Sequence, residues 1–188
     1  MATKKLSAAP FAFVGLLVAA LIPIAFSVAI FSDSNWVFNA NSLSDLGIST
    51  DAFTANLFNY SCMIGGVLIT IFGLGKMFIK NGLDSASAFF LVIAGVLLVG
   101  VGIINKSYDA HVYIACFFFA CTAIALIISM VSDSMKGRKL TTAISVISVT
   151  VTIMCMPGFS IFGIEVIYVM AICLWLAGQG LSLAFSKA

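Results

Sequence analysis

The sequence predicts an all-α, polytopic membrane protein, and three observations support this prediction. Hydrophobic residues make up 62% of the 188 positions and charged residues only 9%. The mean hydropathy is +1.20. A soluble domain is roughly half apolar and about a quarter charged, so its surface could not cover this many apolar side chains. The apolar residues also fall into uncharged runs of about 20 residues, the length that crosses a hydrocarbon core about 30 Å thick.

Six such runs are present, and none alternates between apolar and polar residues as a barrel strand does, so we expect helices. The predicted transmembrane spans cover roughly residues 11–31, 56–75, 87–104, 112–131, 140–156 and 164–185. We expect one domain over residues 1–188, with the connection 32–55 forming a lid at one end of the bundle. The first run is longer than a signal-peptide core and lacks a small-residue cleavage site, so we expect it to be retained.

The charges orient the predicted bundle. The positive-inside rule places the side richer in Lys and Arg in the cytoplasm, so we expect a cell-membrane protein with both termini cytoplasmic. Lys106 is the one cation on the opposite, exterior side, which also carries five acidic residues. The cytoplasmic set is Lys4, Lys5, Lys76, Lys80, Lys136, Arg138, Lys139 and Lys187, and the exterior acids are Asp33, Asp45, Asp51, Asp109 and Glu165.

Capping residues and small-residue repeats predict several local features in the first half of the chain. In the lid, Ser42 to Gly47 has a capping residue at its start and a glycine at its end, which predicts one helical turn. Thr50 or Asp51 is placed to cap an extension of the second helix. Small residues at seven-residue steps predict that the second and third helices pack closely as a hairpin. The row in the second helix contains Gly66 and Gly73, and the row in the third contains Ala88, Gly95 and Gly102.

The second half has its polar groups at the helix starts. Asp109 is in position to cap the fourth helix with its carboxylate at the positive end of the helix dipole, and His111 follows in the first turn. Glu165 lies in the first turn of the sixth helix. No Asp, Glu, Lys or Arg lies deep in any of the six predicted spans, which argues against ion-coupled transport.

Five residues near the exterior ends of their helices form the candidate ligand-binding site: Asp45, Asn59, Asp109, His111 and Glu165. Ionisable groups near membrane depth are costly and tend to be functional. Each residue also has an ordinary structural explanation, as a cap, a charge near a helix dipole or an interfacial side chain. Zinc sites usually draw on several His or Cys ligands, and one histidine is present, so we predict no metal and no cofactor. No catalytic motif is recognisable, and nothing points to nucleic acid.

The residues Ser44-Asp45-Leu46-Gly47, Asn59, Asp109, His111 and Glu165 resemble the membrane family known as domain of unknown function 998, over essentially the whole chain. That family is itself similar to the Frag, DRAM and Sfk group, whose members are associated with lipid remodelling and organisation. The resemblance implies a compact six-helix bundle with an exterior site suited to an amphipathic ligand such as a lipid. We therefore expect a lipid-interacting protein. The alternatives are a structural subunit of a larger membrane complex and a membrane enzyme acting on lipids.

Overall fold

The protein is a bundle of helices in the computed structural model, which describes residues 7–185. Lys4, Lys5 and Lys187, which contributed to the predicted orientation, lie outside the described residues. Each of the six apolar runs is a helix, and a short 3₁₀ helix, Leu43–Ile48, interrupts the first connection. The six α-helices are α1 (Ala9–Ser32), α2 (Ala52–Ile79), α3 (Leu83–Ile103), α4 (Ala110–Met135), α5 (Lys139–Cys155) and α6 (Ile161–Ala184).

Helix length and composition support a multi-pass membrane protein. Within residues 7–185, five helices are long and apolar enough to cross a membrane: α1, α2, α3, α4 and α6. Helix α5 has 17 residues. At a rise of about 1.5 Å per residue it is about 25 Å long, slightly shorter than a hydrocarbon core of about 30 Å. Large apolar side chains such as Phe13, Ile24 and Phe117 are exposed along the bundle, where a bilayer would surround them.

Consecutive helices pack side by side, and α6 also packs against α1, which closes the bundle. Its core is built around large side chains that include Phe72 and Trp175. We call the end that carries the 33–51 connection the His111 end, and the opposite end the Asp84 end. Helix α5 leads from one to the other, since Arg138 before it contacts Asp84 and Ser160 after it contacts Asn39 of that connection.

The close packing of α2 and α3 confirms the prediction from their small residues. A β-carbon added to Gly66 would lie 2.5 Å from the carbonyl oxygen of Gly95, and one added to Gly102 would lie 2.5 Å from the carbonyl oxygen of Asn59. These distances are to backbone atoms, which cannot move aside as a side chain can. Glycine is therefore required where the two backbones cross, and this contact brings Asn59 against α3.

A buried polar cluster joins four helices at the Asp84 end. The carboxylate of Asp84 is 1% exposed. It accepts hydrogen bonds from Ser132 Oγ at 2.6 Å, Lys136 Nζ at 2.9 Å and both terminal nitrogens of Arg138, at 2.6 and 3.0 Å. Burial alone would lower the pKa of Arg138, but its hydrogen bonds to Asp84 and the charge of Asp133 raise it. The guanidinium is thus a permanent partner for the buried acid.

The cluster extends from Arg138 towards the centre of the bundle. Arg138 Nη2 forms an ion pair with the fully buried Asp133, whose Oδ1 lies 2.7 Å away. The other oxygen of Asp133 accepts from Gln179 Nε2 at 2.9 Å, and Gln179 Oε1 accepts from Lys76 Nζ at 2.6 Å. Side chains from α2, α3, α4 and α6 are therefore linked in one chain of charges and amides.

The cluster lies just beyond the predicted spans. The second predicted span ends at residue 75, the third begins at residue 87 and the fourth ends at residue 131, so Lys76, Asp84 and Asp133 fall in the predicted connections. The helices extend further than predicted and include all three residues, each of them buried. Their partners come from other helices, which no local pattern reveals.

We predict that Asp84→Asn destabilises the fold by about 3–5 kcal/mol, the usual cost of breaking a buried ion pair by removing one partner. Unfolding in detergent would measure the change. Lys136→Met is the matched control, because the Lys136 side chain is 47% exposed and such a partner contributes about 1 kcal/mol or less. Equal losses in the two variants would contradict the role of burial.

Candidate functional site

The connection before α2 is ordered by its own polar groups at the His111 end. Trp36 Nε1 donates to the carbonyl of Ser42 at 2.8 Å. Asn39 has a positive φ of 69°, a conformation that asparagine tolerates better than most residues, and its side-chain oxygen accepts from Ser160 N at 2.7 Å. These bonds hold the connection against the start of α6. The predicted helical turn is present as the 3₁₀ helix that begins after Ser42.

Asp45 closes the start of the 3₁₀ helix and also holds Lys106. One carboxylate oxygen accepts from Ser42 N at 2.8 Å and Ser42 Oγ at 2.9 Å, while the other accepts from Lys106 Nζ at 2.5 Å. Burial would raise the pKa of Asp45, but the hydrogen bonds from Lys106 and Ser42 together lower it. Lys106 also donates to Ser42 Oγ at 2.9 Å and lies 5.7 Å from the centre of the Phe162 ring. Its ammonium is thus fixed beside α6.

His111 is buried between the end of α3 and the 3₁₀ helix. Its Nδ1 lies 2.6 Å from the carbonyl oxygen of Ile104, and its Nε2 lies 2.9 Å from Ser44 Oγ. A carbonyl oxygen only accepts, so Nδ1 must carry the proton of the neutral ring. Nε2 is then the acceptor, and the Ser44 hydroxyl donates to it. Two contacts therefore set both the tautomer and the orientation of the imidazole.

Glu165 and Asn59 contact opposite ends of the 3₁₀ helix. Glu165 Oε2 accepts from Leu43 N at 3.3 Å, and Asn59 Nδ2 donates to the carbonyl of Gly47 at 2.9 Å. A β-carbon on Gly47 would lie 2.6 Å from Asn59 Oδ1, so glycine is needed for this approach. Asp51 caps α2 by accepting from Thr54 N at 2.9 Å, as one of the two predicted alternatives. The segment between α1 and α2 is therefore fixed to α2, α4 and α6.

A pocket of about 330 Å³ opens between α4 and α6 beneath the 3₁₀ helix. These two helices contact each other little, which leaves a lateral gap. The polar groups lie at the His111 end of the pocket, and apolar side chains continue from them along α4 and α6. The polar lining consists of Ser42, Ser44, Lys106, His111 and Glu165, and the rest includes Val112, Ala115, Cys116, Phe119, Ile161, Phe162, Ile164 and Tyr168. The pocket therefore has polar side chains at the His111 end and apolar side chains along the rest of its length.

The structure brings two of the five candidate residues into this pocket, namely His111 and Glu165. Asp45 lies behind Lys106 and positions it, and Asn59 contacts the far end of the 3₁₀ helix. Asp109 stands at the start of α4 as predicted, but it is exposed and its side chain makes no capping hydrogen bond. It is not joined to the other four.

Ser42, Ser44 and Lys106 line the pocket although the sequence did not single them out as ligands. Lys106 had one available signal, because it is the lone cation on its side of the predicted membrane. Ser44 had a weaker one, its place beside Asp45 in the Ser-Asp-Leu-Gly segment. Among residues 7–185, no three His, Cys, Asp or Glu side chains lie together as a metal site would require.

The fold and these contacts define an all-helical, multi-pass membrane protein with a polar-headed pocket near one end of the bundle. Residues 13–182 match the family described as "Protein of unknown function (DUF998)". The chain belongs to that family, which confirms the resemblance seen in the sequence. No curated protein and no solved structure matches the chain.

We predict that acid weakens the His111 end through Asp45. Because the folded state lowers the pKa of Asp45 from its usual value of 3.8, its contacts stabilise the fold fully above that pH. They are lost as the pH falls through the lowered value. Asp45→Asn should therefore be less stable than the wild type at pH 6 and closer to it at the most acidic pH the protein tolerates. Thermal unfolding in detergent would measure this, with the exposed Asp109→Asn as control. A constant difference between wild type and Asp45→Asn would contradict the prediction.

Proposed function

We propose that the protein binds a membrane lipid in the pocket between α4 and α6. The polar headgroup contacts Ser42, Lys106, His111 and Glu165, and part of an acyl chain lies against the apolar walls. The observation that supports this most directly is the order of the lining, polar at the His111 end and apolar along α4 and α6. An amphipathic ligand whose headgroup lies near the membrane surface has its polar and apolar parts in the same order.

The size and position of the pocket also favour a lipid. Its volume of about 330 Å³ is at the lower end of the roughly 300–1,000 Å³ typical of small-molecule sites. It therefore holds a headgroup and a short stretch of chain, while the rest of the chain stays in the bilayer. The exposed Cys116 lies at the rim, next to the lateral gap. A lipid can thus enter from the side without leaving the membrane.

The headgroup site combines a lysine and an acidic side chain. Asp45 holds Lys106 in place. Glu165 lies on α6 and accepts one backbone hydrogen bond, from Leu43 N. Ammonium and carboxylate groups separated in this way suit a headgroup with a negative phosphate and a hydrogen-bond donor. Asp45, Asn59 and Asp109 remain part of the proposed binding region as residues that shape or flank it.

The proposed arrangement has six transmembrane helices, with the His111 end outside the cell and both termini in the cytoplasm. Helix α5 supports the sixth crossing because it leads from the Asp84 end to the His111 end. Its length of about 25 Å suits a locally thinner bilayer or interfacial ends. The cations at the Asp84 end, which include Lys80, Lys136 and Lys139, favour that end as the cytoplasmic one.

We predict that a membrane-impermeant maleimide labels Ser107→Cys but not Ser134→Cys in intact cells. Both residues are exposed, Ser107 at the His111 end and Ser134 at the Asp84 end. Labelling after cell lysis shows that each cysteine is reactive, and the wild type gives the background from native cysteines. The reverse pattern in intact cells would overturn the proposed orientation.

A structural subunit of a larger complex is less well supported. That alternative relied on glycine and alanine faces as surfaces for other subunits. The glycines at those faces contact helices of the same chain, as when Gly66 meets Gly95 and Gly180 meets Leu16. They are therefore used within the bundle.

We predict that Cys116→Trp fills the pocket and reduces the lipid that copurifies with the protein by about tenfold, which corresponds to a loss of about 1.4 kcal/mol. Native mass spectrometry of protein released from mild detergent would measure the bound lipid. Cys116 is exposed at the rim, so the larger ring should not disturb the core.

The matched control is Ile127→Trp, which lies on the same helix, is 51% exposed and is remote from the pocket. It should keep the lipid bound. If Cys116→Trp and the wild type carry the same lipids in the same amounts, the pocket is not the binding site.

A further inference from the structure

We propose that Ser44 and His111 are a nucleophile and its general base, and that they transfer an acyl group from an ester-linked lipid bound in the pocket. The inference rests on the proposed lipid binding and adds a reaction to it. Covalent catalysis by serine needs a base within hydrogen-bond distance of the hydroxyl and a third group that orients the base. The structure places these three elements together at the His111 end.

The contacts have the required direction. His111 Nδ1 donates to the Ile104 carbonyl at 2.6 Å, so in the neutral ring Nε2 is the acceptor, and it lies 2.9 Å from Ser44 Oγ. This is the tautomer in which imidazole accepts a hydroxyl proton. The carbonyl belongs to the C-cap residue of α3, so the end of that helix fixes the base. Ile104 therefore acts through its backbone as a positioning residue.

The two serines of this segment differ in a way that selects Ser44. Ser42 Oγ donates to Asp45 and accepts from Lys106, which ties its hydroxyl to charged groups. Ser44 Oγ has His111 as its hydrogen-bond partner within the described residues. Both serines line the pocket, and Ser44 is the one whose hydroxyl contacts the imidazole.

The surroundings suit an ester with its chain in the bilayer. Ser44 and His111 line the polar end of the pocket, directly above the apolar walls of α4 and α6. Lys106 lines the same end and supplies a fixed positive charge. Positive charge close to a reacting carbonyl stabilises the oxyanion that forms on attack. Water is restricted there, because His111 is 3% exposed and Ser44 is 8% exposed.

The reaction needs no reagent other than the ester and either water or an alcohol. Ser44 Oγ bonds to the ester carbonyl carbon while its proton moves to His111 Nε2. The ester C–O bond then breaks, and the leaving alkoxide takes the proton from Nε2. Water or a second lipid hydroxyl attacks the acyl-serine ester, His111 accepts and returns that proton, and Ser44 is regenerated with a free acid or a new ester as product.

A long-chain alkyl fluorophosphonate tests the pair directly in purified protein reconstituted in phosphatidylcholine vesicles. Attack forms a Ser44 Oγ–P bond and releases fluoride, with the proton taken up by His111. Intact-protein mass spectrometry should show one adduct, and peptide mapping should place it on Ser44. Ser44→Ala should abolish the adduct, and His111→Asn, which keeps a donor towards Ile104, should slow its formation by about 100-fold or more.

Ser107→Ala is the matched control, since Ser107 is an exposed serine at the same end, and it should react at the wild-type rate. An unlabelled wild type, an adduct mapped to another residue, or His111→Asn reacting at the wild-type rate would each overturn the inference. The mapped wild-type adduct decides the matter even if a variant does not fold.

Native mass spectrometry of the wild type and of Ser44→Ala separates this inference from lipid binding. A wild type that carries bound lipid but forms no adduct would overturn the reaction and leave lipid binding standing. An unchanged amount of bound lipid in Cys116→Trp would overturn lipid binding in the pocket itself.

Discussion

The carboxylate of Asp84 is the group on which the arrangement of the helices depends most. A charge buried in an apolar bundle costs several kcal/mol unless partners surround it, and the partners of Asp84 come from other parts of the chain. Ser132 is on α4 and Arg138 precedes α5. Through Asp133 and Gln179, the same network reaches α6 and Lys76 of α2. A shift of any of these helices would leave a charge unpaired, so the cluster fixes their relative heights as well as their contacts.

Two different kinds of contact stabilise the two ends of the bundle. At the Asp84 end, side chains on helices meet one another. At the His111 end, side chains on helices mostly meet the backbone of the first connection, as Glu165 meets Leu43 N and Asn59 meets the Gly47 carbonyl. The close α2–α3 contact through Gly66 and Gly95 lies between the ends and holds the two sets of partners at a constant distance. The pocket lies at the His111 end, where these backbone contacts hold the first connection above it.

The helices could be predicted from the sequence because hydrophobic runs report burial in lipid directly. The cap of α2 at Asp51, the turn before Gly47 and the α2–α3 crossing were also predictable, since each depends on residues that are close together in the chain or repeat at fixed steps. The partners of Asp84 and the Ser44–His111 contact were not, because they join residues far apart in sequence. His111 and Glu165 were singled out as polar groups in apolar surroundings. Asp109 gave the same signal, but it is exposed and does not line the pocket.

The gap between α4 and α6 determines which concentration of a ligand governs occupancy of the pocket. A ligand that reaches the pocket through this gap is already dissolved in the bilayer, so its effective concentration is its mole fraction among the surrounding lipids. Dilution of the vesicles in water leaves that fraction unchanged, whereas added lipid of another kind lowers it. Under the proposed lipid binding, entry through the gap is an exchange between neighbouring lipids in two dimensions, and the composition of the membrane sets which lipid occupies the pocket.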